Sequence, residues 1–462
     1  MSNSKNMSFP TTVKEAKAVY FIGIGGIGMS AIARYFNSLN IKVSGYDKTP
    51  TVLTKQLESE GIKIHFEDDI SLAPKEVDFI VYTPAIPSHH LELNYYKNNN
   101  YLVVKRSDVL QWITENSFNI CVAGTHGKTT TSTMVGHVLR DTGYGCNAFI
   151  GGISSNYNTN FWSSTENNVV VEADEYDRSF LKLSPNIGII TSVDPDHLDI
   201  YGTPQEVENA FVEFSTKIKS GGCLILKHGL KCNDKFSVSD TCTYSVNDKN
   251  ADIHTENLQV VNGGYKFDVI NTFWKLANVE LNMGGLHNIE NVLAAIGVAK
   301  YLKIDDAKIK KAISNFKGIK RRFEKIIEGK TVLIDDYAHH PEELKALISG
   351  VKSIHPNKKL TLVFQPHLYS RTQDLVDEFA LSLDEADEII LLPIYPAREL
   401  PIEGITSKII FDKMKSKNKQ LLEKRELLVY MANNSKELIV MAGAGDIDVL
   451  VYDIKQILIG TK

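Results

Sequence analysis

The run Ala123-Gly124-Thr125-His126-Gly127-Lys128-Thr129-Thr130-Thr131 holds residues whose types and spacing suit phosphate chemistry. An apolar stretch, FNICVA, leads into it, and a helix expected over 129–141 leads out, with Gly143 just past its end as a C-cap. A strand–glycine loop–helix turn aims backbone N–H groups and the positive end of a helix dipole at one point. Phosphate oxygens suit that point. Lys128 reaches the β- and γ-phosphates of a nucleotide, and Thr129 offers a hydroxyl to magnesium. Val122 stands where the common G-x-x-x-x-G-K-[ST] pattern has its first glycine, so the loop is a shortened relative of that pattern.

Magnesium takes hard oxygen ligands and bridges phosphates while keeping some water. Two acidic segments end apolar runs nearby: Glu172-Ala173-Asp174-Glu175 after VVV, and Asp194-Pro195-Asp196-His197-Leu198-Asp199 after IGIITSV. In a parallel sheet both would emerge on the same edge as the glycine loop. His126 and His197 are the histidines placed closest to this chemistry, His197 as ligand to a second metal or as the orienter of a carboxylate. Farther on, Asn288 and Asn291 sit three apart at the start of a helical pattern and share a face. Their amides offer the donor–acceptor pair that adenine presents, although an asparagine at that position also serves as a cap.

A second glycine loop, Gly23-Ile24-Gly25-Gly26-Ile27-Gly28, follows a strand and precedes a helix, with Asp47 19 residues beyond Gly28. This G-x-G-x-x-G spacing invites a nicotinamide dehydrogenase reading. Its mechanics require only a diphosphate on a helix N-terminus, and a UDP group carries one too. Toward the C-terminus, DDYAHHPEE (335–343) and FQPHLYSRT (364–372) each end a strand with polar groups. Arg371 is suited to bidentate binding of a carboxylate or phosphate. Arg321 and Arg322 lie near a linker from which they reach a phosphate on domain closure.

The elements that must position these residues fall into three sections. Residues 1–115 alternate short β-branched runs (AVYFIGI, IKVSGYD, DFIVYTP, YLVVKR) with helical patterns, which predicts a parallel sheet covered on both faces. Residues 116–318 add a meander of short strands between Asp252 and Met283 to a parallel core. Residues 319–462 resume the alternation. The fold class is α/β in three domains: a Rossmann-like first domain, a central P-loop-type ATPase with a parallel sheet plus a small antiparallel one, and a Rossmann-like third. A length of 462 residues fits several cores.

Charge and composition exclude some classes. A formal net charge of -5 argues against a general nucleic-acid or membrane-surface binder. The five cysteines form no C-x-x-C pair and read as buried thiols in a reducing compartment. The first residues lack the basic-then-apolar signature of a signal peptide, and no apolar run reaches the length of a membrane span. A cytoplasmic enzyme without membrane insertion is the expectation.

With these residues in hand, the chain resembles the Mur ligases, and among them the alanine-adding branch. The resemblance runs nearly end to end through GIGGIGMS, GTHGKTTT, EADEYD, DPDHLDIYG, GLHNIENVLAA, RRFE, DDYAHHPEE, FQPHLYSRT and IYPARE, in family order. It implies three domains that bind in turn a UDP-sugar, ATP and an amino acid. The implied reaction moves the γ-phosphoryl of ATP to the lactyl carboxylate of UDP-N-acetylmuramate. The amine of L-alanine then attacks the acyl phosphate.

The resemblance also implies residue roles. Gly124, Thr125, His126, Gly127, Lys128, Thr129 and Thr130 belong to the ATP site, with Asn288 and Asn291 at the adenine and Arg322 and Asp336 completing it. Thr129, Glu172 and His197 are implied metal ligands for Mg2+, with Mn2+ as a substitute. Gly23, Gly25, Gly26, Ile27, Gly28, Asp47 and Thr83 belong under the UDP-sugar. Tyr337, His339 and Arg371 form the substrate side of the third domain, and Lys128, His197, His339 and Arg371 make up the catalytic set. Two departures stand out. Several sister ligases carry a carbamylated lysine where this chain has Phe211, and many relatives have arginine where it has Leu368. A sister enzyme that reattaches a recycled peptide to the same UDP-sugar is the nearest alternative.

Overall fold

In the computed structural model, residues 15–460 are described except Asp196, Asn262 and Arg398, and the side chain of Asp199 is also outside the description. The acidic segment around His197 is therefore described only in part. By contact pattern the chain forms two compact units. One runs to Glu256 and takes in Val269–Ala277 and Glu290–Ile313; the other comprises Asn257–Asp268, Asn278–Ile289 and the chain from Ser314 onward.

The first unit opens with five strands: β1 (Ala18–Ile22), β2 (Lys42–Tyr46), β3 (Lys63–His65), β4 (Phe79–Tyr82) and β5 (Val103–Lys105). They form an all-parallel sheet in the order β3-β2-β1-β4-β5. The order reverses beside β1, and the chain leaves β1 through the first glycine loop into the helix Ile27–Ser38. Ligand loops gather at such a reversal because the connections on either side diverge and leave a crevice. β1, β2, β4 and β5 coincide with the apolar runs seen in the sequence. The three-residue β3, KIH, carries no such run.

The second sheet comprises β6 (Phe118–Ala123), β7 (Asn147–Ser154), β8 (Thr159–Trp162), β9 (Asn168–Glu172), β10 (Ile187–Ile190), β11 (Cys223–Lys227), β12 (Thr241–Ser245), β13 (Ile253–Val261), β14 (Gly264–Asn271) and β15 (Trp274–Leu281). Its order is β15-β14-β13-β12-β11-β10-β6-β9-β7-β8. β10, β6 and β9 are adjacent and parallel, so the glycine loop after β6, the acidic segment after β9 and Thr191-Ser192 after β10 share one edge. These strands are apolar because both faces are covered: Ile120, Val122, Val170 and Ile189 are all fully buried. β13, β14 and β15 follow one another across short turns, and such connections join only antiparallel neighbours. This is the expected meander, and it makes the central sheet mixed.

The second unit holds a six-stranded sheet of β16 (Glu324–Ile327), β17 (Val332–Asp336), β18 (Leu360–Phe364), β19 (Glu388–Leu391), β20 (Lys419–Leu421) and β21 (Leu438–Ala442), ordered β16-β17-β21-β18-β19-β20. Only β16 runs antiparallel to its neighbour. A core of Leu333, Val363, Ile390, Ile439, Met441 and Ile454 fills one face. The C-terminal ends of β17, β18 and β21 again lie on one edge.

Candidate active site

The loop after β6 is held by β10. Thr125 Oγ1 and Ser192 Oγ lie 2.9 Å apart, the His126 amide donates to Ser192 Oγ at 2.7 Å, and Thr191 Oγ1 donates to the Ala123 carbonyl at 3.1 Å. Gly124 takes φ +134° and lies so close to β10 that a Cβ there would sit 2.1 Å from Thr191 Oγ1. Only glycine fits both constraints. Gly127, at φ +82°, starts the helix Lys128–Asp141 without a side-chain cap, so the first-turn N–H groups keep their anion-seeking character. His126 is exposed at the mouth, while Thr129 and Thr130 are buried in the helix start.

Lys128 folds over this loop. Its Nζ donates to the Gly124 carbonyl at 2.7 Å and to Glu175 Oε1 at 2.8 Å. Glu175 is almost fully buried, and burial pushes its carboxyl above the usual range, opposed by the Lys128 ammonium. Next to this pair, Thr129 Oγ1 donates to Glu172 Oε1 at 3.0 Å, while Glu172 Oε2 accepts from the Gly151 amide at 3.0 Å. A hydroxyl and a carboxylate meeting beside an anion loop are hard oxygen donors of the kind Mg2+ takes. Among the described residues no cluster of three or more His, Cys, Asp or Glu is gathered for a metal. The Thr129–Glu172 pair thus fits a cation that fills its other positions with phosphate and water oxygens.

His197 has a left-handed backbone at φ 52° and caps the short helix Leu198–Tyr201. Its ring stands edge-on to Tyr176 at 5.0 Å, and its Nε2 lies 4.0 Å from Glu175 Oε1. The structure thus brings His197 to Glu175, a residue the sequence offered only as one acid among several. Asn291 also reaches the loop: its Oδ1 accepts from Thr131 Oγ1 at 3.0 Å and lies 3.1 Å from where a Gly127 Cβ would stand. Asn288 turns back on its own helix start and donates to the Gly284 carbonyl at 2.7 Å.

At the first loop the Gly23 and Ile24 amides both donate to the Tyr46 carbonyl. Asp47 Oδ2 accepts from the Gly25 amide at 2.7 Å, and Thr83 packs against Gly23. Gly26 caps the helix Ile27–Ser38, where Ile27 is partly exposed, and the Arg106 side chain lies across Gly28. Arg106 Nη2 also reaches Asp174 Oδ2 at 3.3 Å. A cavity of about 120 Å³ follows from there, lined by Gly28, Arg106, Gly151, Glu172 and Asp174 among others. It links the first loop to the Thr129–Glu172 pair. Arg106 was not read from the sequence, where a basic residue after β5 looks like any helix-start arginine.

In the second unit the rings of Tyr337, His339, His367 and Tyr395 line the sheet edge, with centroid steps of 5.3, 6.0 and 5.8 Å. Arg371 Nη1 lies 3.5 Å from His367 Nδ1. Burial, then His339 and Arg371, push His367 down to about 4; burial also lowers His339, opposed by Glu343. Both rings are thus biased to the neutral form, which leaves Arg371 as the cation for a carboxylate. Asp336 accepts from the Phe323 and Ala338 amides at 2.7 Å each, and burial raises it to about 6. It braces the chain around half-exposed Arg322, between Arg321 and Phe323, whose backbones are both left-handed. At Leu368 the backbone has φ 70°, and its amide donates to the Tyr395 carbonyl.

Phe211, where the resemblance would place a carbamylated lysine, is fully buried on the helix Pro204–Thr216. It packs edge-on to Phe180 at 5.3 Å, and Phe180 stacks on Phe214 at 5.3 Å.

A lysine-bearing glycine loop with a threonine–glutamate pair at its helix start defines a nucleotide-dependent enzyme, here joined to a second diphosphate-type loop and a cation-bearing third sheet. Three family models match in the same order: the Mur ligase family catalytic domain over residues 18–117, the Mur ligase middle domain over 122–299, and the Mur ligase glutamate ligase domain over 321–447. The chain belongs to the Mur ligase family. It is 48% identical over 452 residues to a protein of Porphyromonas gingivalis (strain ATCC BAA-308 / W83) named UDP-N-acetylmuramate--L-alanine ligase, spanning 96% of this chain and 99% of that one. A protein of the same name from Flavobacterium psychrophilum is 47% identical, spanning 95% and 97%. Among solved structures, UDP-N-acetylmuramate-alanine ligase MurC of Thermotoga maritima superposes with a TM-score of 0.83 at 28% identity, covering 97% of this chain and all of that one. A murein peptide ligase of Psychrobacter arcticus reaches 0.67 at 23% identity, covering 96% and 98%, and shares the fold.

Proposed function

We infer that this chain is an ATP-dependent ligase that joins L-alanine to the lactyl carboxylate of UDP-N-acetylmuramate in peptidoglycan precursor synthesis. The observation that carries the reading is the meeting of Lys128, Thr129 and Glu172 at one loop, in a chain 48% identical end to end to a relative of that name. In this reading the carboxylate oxygen attacks the γ-phosphorus and ADP leaves. The alanine nitrogen then attacks the acyl carbon, loses its proton and expels phosphate.

The chain's own residues supply position and charge rather than a nucleophile. The amides from Gly124 to Thr130 hold the triphosphate, and Lys128 neutralises charge that builds on the moving phosphoryl group. Thr129 and Glu172 would hold Mg2+, which would supply positive charge to offset that of the phosphates. His197 sits beside Glu175 at the rim. The first loop and Arg106 hold the UDP diphosphate, with the cavity leading toward Glu172. Asn291 and Asn288 are assigned to the adenine, and Arg322 and Asp336 to the ATP set. Tyr337, His339 and Arg371 receive alanine, with Arg371 on its carboxylate.

Domains of 1–115, 116–318 and 319–462 and a cytoplasmic setting complete the proposal. Among the described residues no helix is long and apolar enough to cross a membrane. A phosphate-release assay with ATP, UDP-N-acetylmuramate and a panel of amino acids tests the assignment. Release driven by a tripeptide but not by free L-alanine would transfer it to the peptide-recycling sister, and hydride transfer to NAD(P)+ without ATP would return it to a dehydrogenase.

A further inference from the structure

Glu175 has no part in the reaction as written, yet it forms an ion pair with Lys128, the group that matters most. The residue is 1% exposed, on a loop fixed by two bonds to its own carbonyl: Tyr201 Oη donates at 2.6 Å and the Arg178 amide at 3.0 Å. One carboxylate oxygen accepts from Lys128 at 2.8 Å. The other, Oε2, is buried with no hydrogen-bond partner. A buried carboxylate with half its acceptor capacity idle is held in place by its one strong ion pair. The same ammonium also folds onto the Gly124 carbonyl, inside the loop that phosphates must enter.

We propose that Glu175 is a positioning residue that holds Lys128 as an internal counter-ion, so that a triphosphate must exchange with it for the lysine. This rests on the ATP-dependent reading of the loop. The incoming anion and Glu175 compete for one cation. As Lys128 leaves, His197 Nε2, 4.0 Å away, is the next donor within reach of the vacated oxygen. The loop is thereby kept neutral between turnovers, and part of the affinity for ATP is spent in displacing the carboxylate.

The exchange makes an unusual prediction, that removing a buried partner of the phosphate-gripping lysine tightens nucleotide binding. Glu175→Gln keeps the shape and removes the charge. Its KM for ATP and its ATP Kd, titrated directly, should both fall roughly fivefold while kcat stays within about twofold, the signature of a change in uniform binding. Glu175→Asp, which keeps the charge but shortens the reach, should shift both in the same direction by less, and it serves if the glutamine variant does not fold. A Kd that is unchanged or weaker in the folded variants overturns the exchange, because a purely structural glutamate gives that result. The Kd titration reads the exchange independently of turnover. An unaltered protein that binds ATP but releases no phosphate with UDP-N-acetylmuramate and L-alanine would sink the ligase reading instead.

Discussion

The two glycine loops of the first unit share a backbone plan and differ in the charges placed around it. Each leaves a parallel strand, turns through glycine and enters a helix without a side-chain cap. At the loop after β1 a carboxylate, Asp47, occupies the Gly25 amide, and a guanidinium, Arg106, lies over Gly28. At the loop after β6 an ammonium lies across the turn and a hydroxyl–carboxylate pair stands at the helix start. Backbone geometry makes both into anion sites, and the flanking side chains decide which anion each suits. In the proposed reading the first takes a diphosphate without metal and the second a triphosphate carrying Mg2+.

The largest effect that would separate the loops is from Lys128→Ala. Phosphate release should fall about a thousandfold, because charge stabilisation in the transition state is lost, while the Kd for UDP-N-acetylmuramate holds. Near-normal turnover would remove the second loop from the chemistry. Gly28→Ala places a Cβ 2.4 Å from Arg106 Nη1 and so displaces the guanidinium. UDP-sugar affinity should drop about thirtyfold with the ATP KM unmoved, and equal losses for both substrates would erase the proposed division. Thr129→Val removes one of the two paired oxygens. The Mg2+ concentration for half-maximal rate should rise about tenfold, and an unshifted Mg2+ curve would take Thr129 out of the metal site.

The smallest effect lies away from both loops. His367 is held down to about 4 from an ordinary 6.5, so between those values the unfolded chain binds the proton that the folded one refuses. Stability should therefore rise with pH from about 4 to 6.5 and then level off, and His367→Asn should flatten part of that slope in thermal unfolding. A slope of the opposite sign would contradict the burial of that ring.

Much of this was open to a reader of the sequence because local and global signals agreed. The apolar runs of β6, β9 and β10 announce strands, and a lysine after glycine at the edge of such a strand has few other uses. What escaped notice was set by long-range packing. β3, β16 and β20 are short or mixed in character and become strands only through their neighbours. Glu172 and Glu175 look alike in E-A-D-E; the resemblance singled out Glu172 with Thr129, but only the structure shows Glu175 buried under Lys128. Arg106 stands 78 positions from Gly28 in the chain, so no local pattern foretold their contact. Asn288, legible as an adenine group or as a cap, here bonds within its own helix start.

The aromatic packing of Phe211 has a consequence for how the enzyme is handled. A lysine amine adds carbon dioxide reversibly to form a carbamate. Phenylalanine cannot take up that group, and its ring is locked against Phe180. Activity in degassed, bicarbonate-free buffer should equal that in air-equilibrated buffer, because position 211 offers no amine for carbon dioxide to modify.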